Sequence, residues 1–492
     1  MTEPCDLSAV EARTLIGRRL LSPVELLQSC IARVEAVNHS VNAVVALDSD
    51  RALQAAREAE AAVMRGEALQ PLHGLPVGIK DLEDTAGLRT TYGSTQFRDH
   101  VPQADERGVA AIRRAGGIVL GKTNTPEWGA GANTRNAVYG VTGNPFDPSR
   151  SAAGSSGGSA VALACCMVPL ASGSDMGGSL RTPAAFCGVV GLRPSPGLVP
   201  SEKQMFGWSP LAVQGPMARS VADAALLLSA MQGEDRRSPL STIGGAPQKS
   251  DSVARVDLSR LRVAFTVDFG MALVERQVAA AFRERVEPLG RLFARLEEAT
   301  PDCSGTDETF AVLRALAFVA AHGERVRTRP TETSPNIRAN VEEGLRLGIA
   351  DVARALAAQT AIYRRWQAFF DRFDVILTPT AAIRPRTWRE LYPAEIDGKP
   401  TGSYYQWLAL AYAVSLVGHP ALSLPAGCDP GGLPIGLQIV GPRGGDRSVL
   451  SVAAALEQVF AGDPATRRPM PDLSQLRSAP PIAEQAEFFG YG

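Results

Sequence analysis

Short apolar runs of strand length alternate along this chain with segments whose apolar residues recur at helical spacing, and that alternation leaves few architectures open. Leu75 to Ile79 and Ile118 to Leu120 are too brief for helices and carry no charge, while Asp105 to Ala115 between them follows a helical pattern. A strand that is apolar on both faces has to be covered on both faces, and the intervening helices provide the cover. An α/β fold follows, with strands buried between helices. Val41 to Leu47, Arg262 to Val267, Val375 to Leu377, Ala421 to Leu424 and Ile435 to Val440 read as further strands.

The helical segments carry their own signals. Ser22, Pro23 and Glu25 make a capping box ahead of a helix over about 23–37, Ala- and Glu-rich residues extend a second to about 66, and Ser220 with Asp223 opens another. Further helices are expected near 275–298, 308–322 and 340–370. The twelve-residue apolar run Ala160 to Ala171 reads as a buried helix, too short to cross a bilayer. Residues 232–257, rich in Pro, Gly and Ser, read as a surface linker, and no internal repeat suggests a solenoid or propeller.

Charge narrows the function. With 50 Lys and Arg against 51 Asp and Glu, a net of −1, the chain lacks the basic footprint of a nucleic-acid binder. Its start, Met1 to Asp6, has neither the basic residues nor the apolar stretch of a secretory signal. Seven cysteines with no C-x-x-C pair argue against a disulfide framework and a structural zinc site. No H-E-x-x-H or paired-carboxylate pattern appears, so no metal and no other cofactor is expected. A cytoplasmic location is expected, without membrane attachment.

Two motifs match known patterns only formally. Gly116 to Thr123 fits G-x-x-x-x-G-K-[ST], but Ile118, Val119 and Leu120 occupy what should be an exposed phosphate loop and Pro126 blocks the helix that should follow Thr123. A strand with a glycine entry is the better reading. Gly154-Ser155-Ser156-Gly157-Gly158 fits G-x-S-x-G, which would make Ser156 the nucleophile of an α/β-hydrolase esterase. Only His322 and His419 lie downstream to serve it, and His419 sits in a turn entering a strand.

Three other segments stand out together: Gly78-Ile79-Lys80-Asp81, Ala153 to Ser159 with its Gly-Ser run, and Gly173-Ser174-Asp175-Met176-Gly177-Gly178-Ser179-Leu180-Arg181. They closely resemble the amidase signature family, whose members hydrolyse amides with a Ser–cis-Ser–Lys triad. Lys80 and Ser179 are 99 residues apart and Ser155 and Ser179 are 24 apart, in keeping with that family. Gly121 to Asn124, Gly215 to Val221 and Gly432 to Gln438 also look like family landmarks, so the resemblance extends over nearly the whole chain. It implies that Ser179 is the nucleophile, Ser155 the bridging serine beside a strained peptide and Lys80 the base. It also implies an amidase signature fold, a mixed twisted central sheet with helices on both faces. One amidase domain would span 1–492: a helical segment 1–70, a signature core 71–230, a more helical cover 231–370 and the rest of the core sheet in 371–492.

The chemistry is consistent with these residue types. A serine hydroxyl needs a neighbouring base, and a lysine can be that base only when neutral, so its pKa near 10.4 must be lowered by burial or nearby positive charge. Asp81, next to Lys80, would oppose this unless its side chain turns away. Backbone N–H groups of Met176, Gly177, Gly178 and Ser179 are candidates for an oxyanion hole, since glycine lets the backbone approach a substrate oxygen. Asp175 and Arg181 are expected to brace this loop, and Ser156 and Ser159 to support it through their hydroxyls.

Relatives of this kind act on aliphatic and aryl amides, anilides, carbamates and, in one branch, glutamine. Here Trp128, Tyr139, Met205, Phe206 and Trp208 are candidate pocket residues, which suits a small apolar or aryl acyl amide, with esters and urethanes as further substrates. The alternative is the glutamine-hydrolysing component of an amidotransferase, working in a complex. The usual Lys-Pro-Thr-Tyr-Gly run of that branch and the acidic residue ahead of Gly-Pro-Met are replaced by Arg193-Pro194-Ser195-Pro196-Gly197 and Leu211-Ala212-Val213-Gln214. Many relatives are homodimers, and a homodimer is open here too.

Overall fold

Each of the seven runs read above as a strand joins one sheet, which four strands not read from the sequence complete. The computed structural model describes residues 3–241 and 253–489. The strands of the main sheet in chain order are β1 (Val44–Leu47), β2 (Pro76–Lys80), β3 (Ile118–Thr123), β4 (Leu170–Asp175), β5 (Val190–Arg193), β6 (Val213–Ala218), β7 (Arg262–Phe265), β8 (Arg295–Glu298), β9 (Val375–Pro379), β10 (Ala421–Cys428) and β11 (Pro434–Val440). They lie side by side in the order β1-β3-β2-β4-β6-β5-β10-β11-β9-β7-β8, an 11-stranded sheet. The pairs β2–β3, β2–β4, β7–β9 and β7–β8 are parallel and the rest antiparallel, so the sheet is mixed. Every residue of β2, β3 and β9 is buried, as continuous apolar strands between helical layers require.

Helix signals act locally as read. Ser22 Oγ accepts from the Val24 N–H at 2.9 Å while Glu25 accepts from the Ser22 N–H at 3.0 Å, starting a helix that runs from Pro23 to Val41, a turn beyond the expected end. Ser220 caps Val221–Met231 by accepting from the Asp223 N–H. Gly116 to Thr123 is a turn leading into β3, and Lys122 is fully buried in that strand, its Nζ donating to the Glu83 carbonyl and to Thr85 Oγ1.

Three expectations need correction. The run Ala160 to Ala171 is not one helix: the helix Gly157–Ala164 ends before Cys165, Cys166 takes a positive φ of 56°, and the chain continues as β4. Hydrophobicity alone could not show the break, because both pieces are buried. The segment near 275–298 holds an α-helix only over Arg276–Val286, a 3-10 helix follows over Glu287–Leu292, and Arg295–Glu298 pairs in parallel with β7 as the edge strand β8. The segment near 340–370 is two helices, Pro335–Leu345 and Ile349–Phe370, separated at Arg346 to Gly348. Of the expected linker, residues 242–252 lie outside the described residues.

This topology brings the three signature segments together. β2 and β4 are parallel neighbours, so Lys80, which ends β2, and Ser174 and Asp175, which end β4, emerge at the same edge of the sheet. Ligand sites of α/β sheets form at such carboxyl ends. The helix Gly157–Ala164 brings the 153–159 loop onto this edge. At Gly158 a Cβ would fall 2.2 Å from the backbone N of Asn124, so no larger residue permits that approach.

Candidate active site

Lys80 is fully buried, and three hydroxyls surround its amine: Ser155 Oγ at 2.6 Å, Ser156 Oγ at 2.9 Å and Ser174 Oγ at 3.0 Å. A neutral amine offers two N–H donors and one lone pair, and three hydroxyls satisfy all three. Burial lowers the Lys80 pKa to about 7, although the Glu83 and Asp175 charges act the other way. Asp81 does turn away from the amine. Its carboxylate accepts from the Thr91 hydroxyl at 2.6 Å and from the Thr91 N–H at 3.2 Å.

Ser155 follows a cis peptide bond, Gly154–Ser155. Ser155, Ser174 and Ser179 line one cavity of about 180 Å³, and Lys80 lies behind its serine wall. Among the described residues no hydrogen bond joins the hydroxyls of Ser155 and Ser179. Ser156, buried and bound to Lys80, does not reach the cavity, and no histidine bonds to its hydroxyl. The esterase geometry for Ser156 is therefore not formed. Of its two candidate histidines, His419 is buried against Trp366 at 5.4 Å, and His322 lines the cavity with Nδ1 accepting from Arg325 at 2.9 Å. Burial, with help from nearby arginines, lowers the pKa of both imidazoles to about 3 and keeps them neutral. Ser159 bonds to Thr123 Oγ1 at 2.7 Å and donates to the Ser172 carbonyl at 2.9 Å, tying the 153–159 helix start to β3 and β4.

The turn that carries Ser179 is anchored by one carboxylate. Asp175 accepts from the N–H of Gly178 at 3.0 Å and of Leu180 at 3.1 Å, and forms buried ion pairs with Arg181 at 2.9 Å and Arg193 at 3.3 Å. Burial alone would raise its pKa, but the two guanidinium charges outweigh burial and hold the carboxyl far below the usual range. Arg181 also donates to Gln438 Oε1, Ser415 Oγ and the Ala411 carbonyl, which fixes the turn to β11 and the helix Ala409–Leu416. Gly178 has φ 117°, a conformation that disfavours side chains. Since its N–H is committed to Asp175, Gly178 drops out as an oxyanion donor. Met176, Gly177 and Ser179 line the cavity and have no protein acceptor for their N–H groups among the described residues.

Of the five aromatic and apolar pocket candidates, only Trp128 lines the cavity. It stacks on Tyr92 with ring centres 4.3 Å apart, and the Arg325 guanidinium lies over its face at 4.3 Å. Tyr139 lies elsewhere, beneath Arg89. Met205, Phe206 and Trp208 are exposed on the surface, Trp208 at 78 %. Much of the remaining wall comes from residues far away in sequence, Phe310, Arg314, Phe318 and His322 of the helix Thr306–Thr328, and Tyr404 and Tyr405, beside Leu82, Gly129, Gly131, Ala132 and Ala212 from nearer the signature. Phe310 and Phe318 are both buried, and a helical pattern near 308–322 says nothing of what they face. Ser174 was also missed, although its place two residues past Ser172 on β4 puts it on the same side of the strand.

The amidase family model matches residues 25–450. The chain belongs to the amidase family. It is 36% identical to an acylamidase of Rhodococcus erythropolis over 92% of this chain and 95% of that protein. It is 33% identical to the A component of the glutamyl-tRNA(Gln) amidotransferase of Acidothermus cellulolyticus over 92% of this chain and 94% of that protein. A solved bacterial aryl acylamidase, an amidase signature enzyme, superposes with TM-score 0.86 at 27% identity, covering 97% of this chain and 98% of that one. The amidase is thus an amide-hydrolysing enzyme with the mixed sheet of the signature fold. Among its described residues no helix is long and apolar enough to cross a membrane.

Proposed function

We propose that this amidase works as a stand-alone amidohydrolase on small amides with an apolar or aryl acyl part, anilides above all, through an acyl-enzyme on Ser179. The observation that carries the proposal is a buried lysine amine 2.6 Å from Ser155 Oγ, behind a cavity that Ser155 and Ser179 both line. Ser179 attacks the acyl carbon and its proton passes through Ser155 to the Lys80 lone pair. The link between the two hydroxyls closes when substrate is bound, as catalytic hydrogen bonds often do. The acyl oxygen, now negative, is met by N–H groups from Met176, Gly177 and Ser179, each such donor contributing about 2.7–4 kcal/mol in comparable sites. Ser155 returns the proton to the leaving nitrogen, and water activated by the same relay releases the acid. Ser156 and Ser174 hold the amine in place, and Asp175 with Arg181 holds the nucleophile turn. Esters and urethanes, which share the acyl carbon geometry, fall within the same mechanism.

The 36%-identical acylamidase and the aromatic cavity wall support this reading over a glutamine amidotransferase. The 33%-identical amidotransferase relative keeps the second reading alive. A sheet that draws strands from both halves of the chain supports treating 1–492 as one catalytic domain, and seven unpaired cysteines support a cytoplasmic setting. The test is release of nitroaniline from a panel of acyl nitroanilides. Wild type should turn over and Ser179→Ala should not. Ammonia release from glutamine, appearing only when the other components of an amidotransferase are added, would transfer the assignment to the second reading.

A further inference from the structure

Arg314 projects from the helix Thr306–Thr328 to the cavity that holds the serines, and it lacks the counter-charge a buried guanidinium normally has. The residue is only 8% exposed, and no carboxylate among the described residues forms an ion pair with it. Among the described residues its buried Nε has no hydrogen-bond partner, and the polar contact it makes is a long one, Nη1 to the Met176 sulfur at 3.8 Å. Three aromatic rings flank the charge, Phe318 at 4.4 Å and Tyr404 and Tyr405 at 5.1 Å each. Cation–π contacts offset part of the desolvation but accept no N–H hydrogen bond.

Among the described residues no carboxylate of the cavity wall is free to pair with that charge. Asp175 is the acidic residue on the wall, and Arg181 and Arg193 already neutralise it. Glu343, on the helix Pro335–Leu345, attracts Arg314 only from a distance. His322 is neutral, and Arg325 adds a second positive charge beside Trp128. A guanidinium cannot shed its proton at physiological pH, so the compensating anion has to come with the ligand.

We propose that Arg314 is a specificity-determining residue whose guanidinium binds a carboxylate carried by the substrate, so that the preferred amides are those bearing an anionic group close to the scissile bond. The Arg314–Met176 contact supplies the proximity, because Met176 opens the turn that ends in Ser179. The carboxylate sits on either the acyl chain or the amine part, and the guanidinium fork suits both. This inference rests on the amidohydrolase reading, and a binding measurement separates the two.

The experiment measures calorimetric affinity of the Ser179→Ala protein for two matched pairs: the monoanilide of succinic acid against its terminal carboxamide, and N-acetyl-4-aminobenzoate against N-acetyl-4-aminobenzamide. In at least one pair the carboxylate should bind about 10- to 100-fold more tightly, the range of a charge-assisted hydrogen-bond pair. The pair that responds shows on which side of the amide the charge sits. Adding Arg314→Gln should remove the preference, while Arg314→Lys should keep part of it. Equal affinities within both pairs, or a preference that survives Arg314→Gln, would overturn the proposal. The comparison within each pair at intact Arg314 stands even if neither Arg314 variant folds. Carboxylate-selective binding without nitroanilide turnover by wild type would leave the subsite in place and count against the amidohydrolase reading alone.

Discussion

Acid should silence this enzyme through one group. Only neutral Lys80 can take the proton from Ser155, and burial brings its pKa to about 7. For a single titration with that pKa the neutral fraction is about 0.9 at pH 8, about 0.5 at pH 7 and about 0.01 at pH 5, so kcat/KM should fall about 90-fold from pH 8 to pH 5. The slope should approach one decade per pH unit below about pH 6. The charged groups acting on the amine, Glu83 and Asp175, both raise its pKa, so burial alone accounts for the lowering. A lysine left in water would instead give a rate still climbing above pH 9. The assay is kcat/KM for one nitroanilide over pH 5–10, with full recovery of activity on return to pH 8 to exclude acid unfolding. A profile flat down to pH 5, or one rising steadily past pH 9, would refute a buried lysine base.

Two other perturbations test the surroundings of the site. Asp175→Asn leaves the buried Arg181 and Arg193 without their shared counter-charge and frees the nucleophile turn, so urea unfolding should show a loss of about 3–5 kcal/mol along with activity; a loss below about 1 kcal/mol would contradict the bracing role. Trp128→Ala should raise KM for an aryl anilide about tenfold, the equivalent of about 1.4 kcal/mol of lost contact, whereas Trp208→Ala should leave steady-state constants within about twofold. Equal effects of the two would place the aryl group outside the cavity.

What the sequence revealed and what it hid have separate physical causes. The capping box at Ser22 and the strand hidden in the Gly116 to Thr123 motif are governed by neighbours a few residues off, and local chemistry was enough to read them; the turning away of Asp81, held by Thr91 ten residues on, followed instead from the need for a neutral Lys80. The break inside Ala160 to Ala171 was invisible because helix and strand are equally apolar there. The edge strand Arg295–Glu298 was hidden because its partly exposed, charged residues follow a helix without a change of pattern. The cavity wall posed the hardest problem. Met205, Phe206 and Trp208, near the signature in sequence, went to the surface, while Phe310, Arg314 and Phe318 arrived from a helix more than a hundred residues downstream of Ser179. The role of Gly178 changed for a similar reason, since only the fold shows its N–H already given to Asp175.

The most direct test is to find where the acyl group goes. A slowly turned-over aryl ester, quenched in acid within the first turnover and mapped by peptide mass spectrometry, should leave its acyl mass on the peptide at Ser179, and Ser179→Ala should carry none. Acylation at Ser155 or Ser156, or turnover with no covalent adduct under those conditions, would contradict a serine nucleophile fed by Lys80.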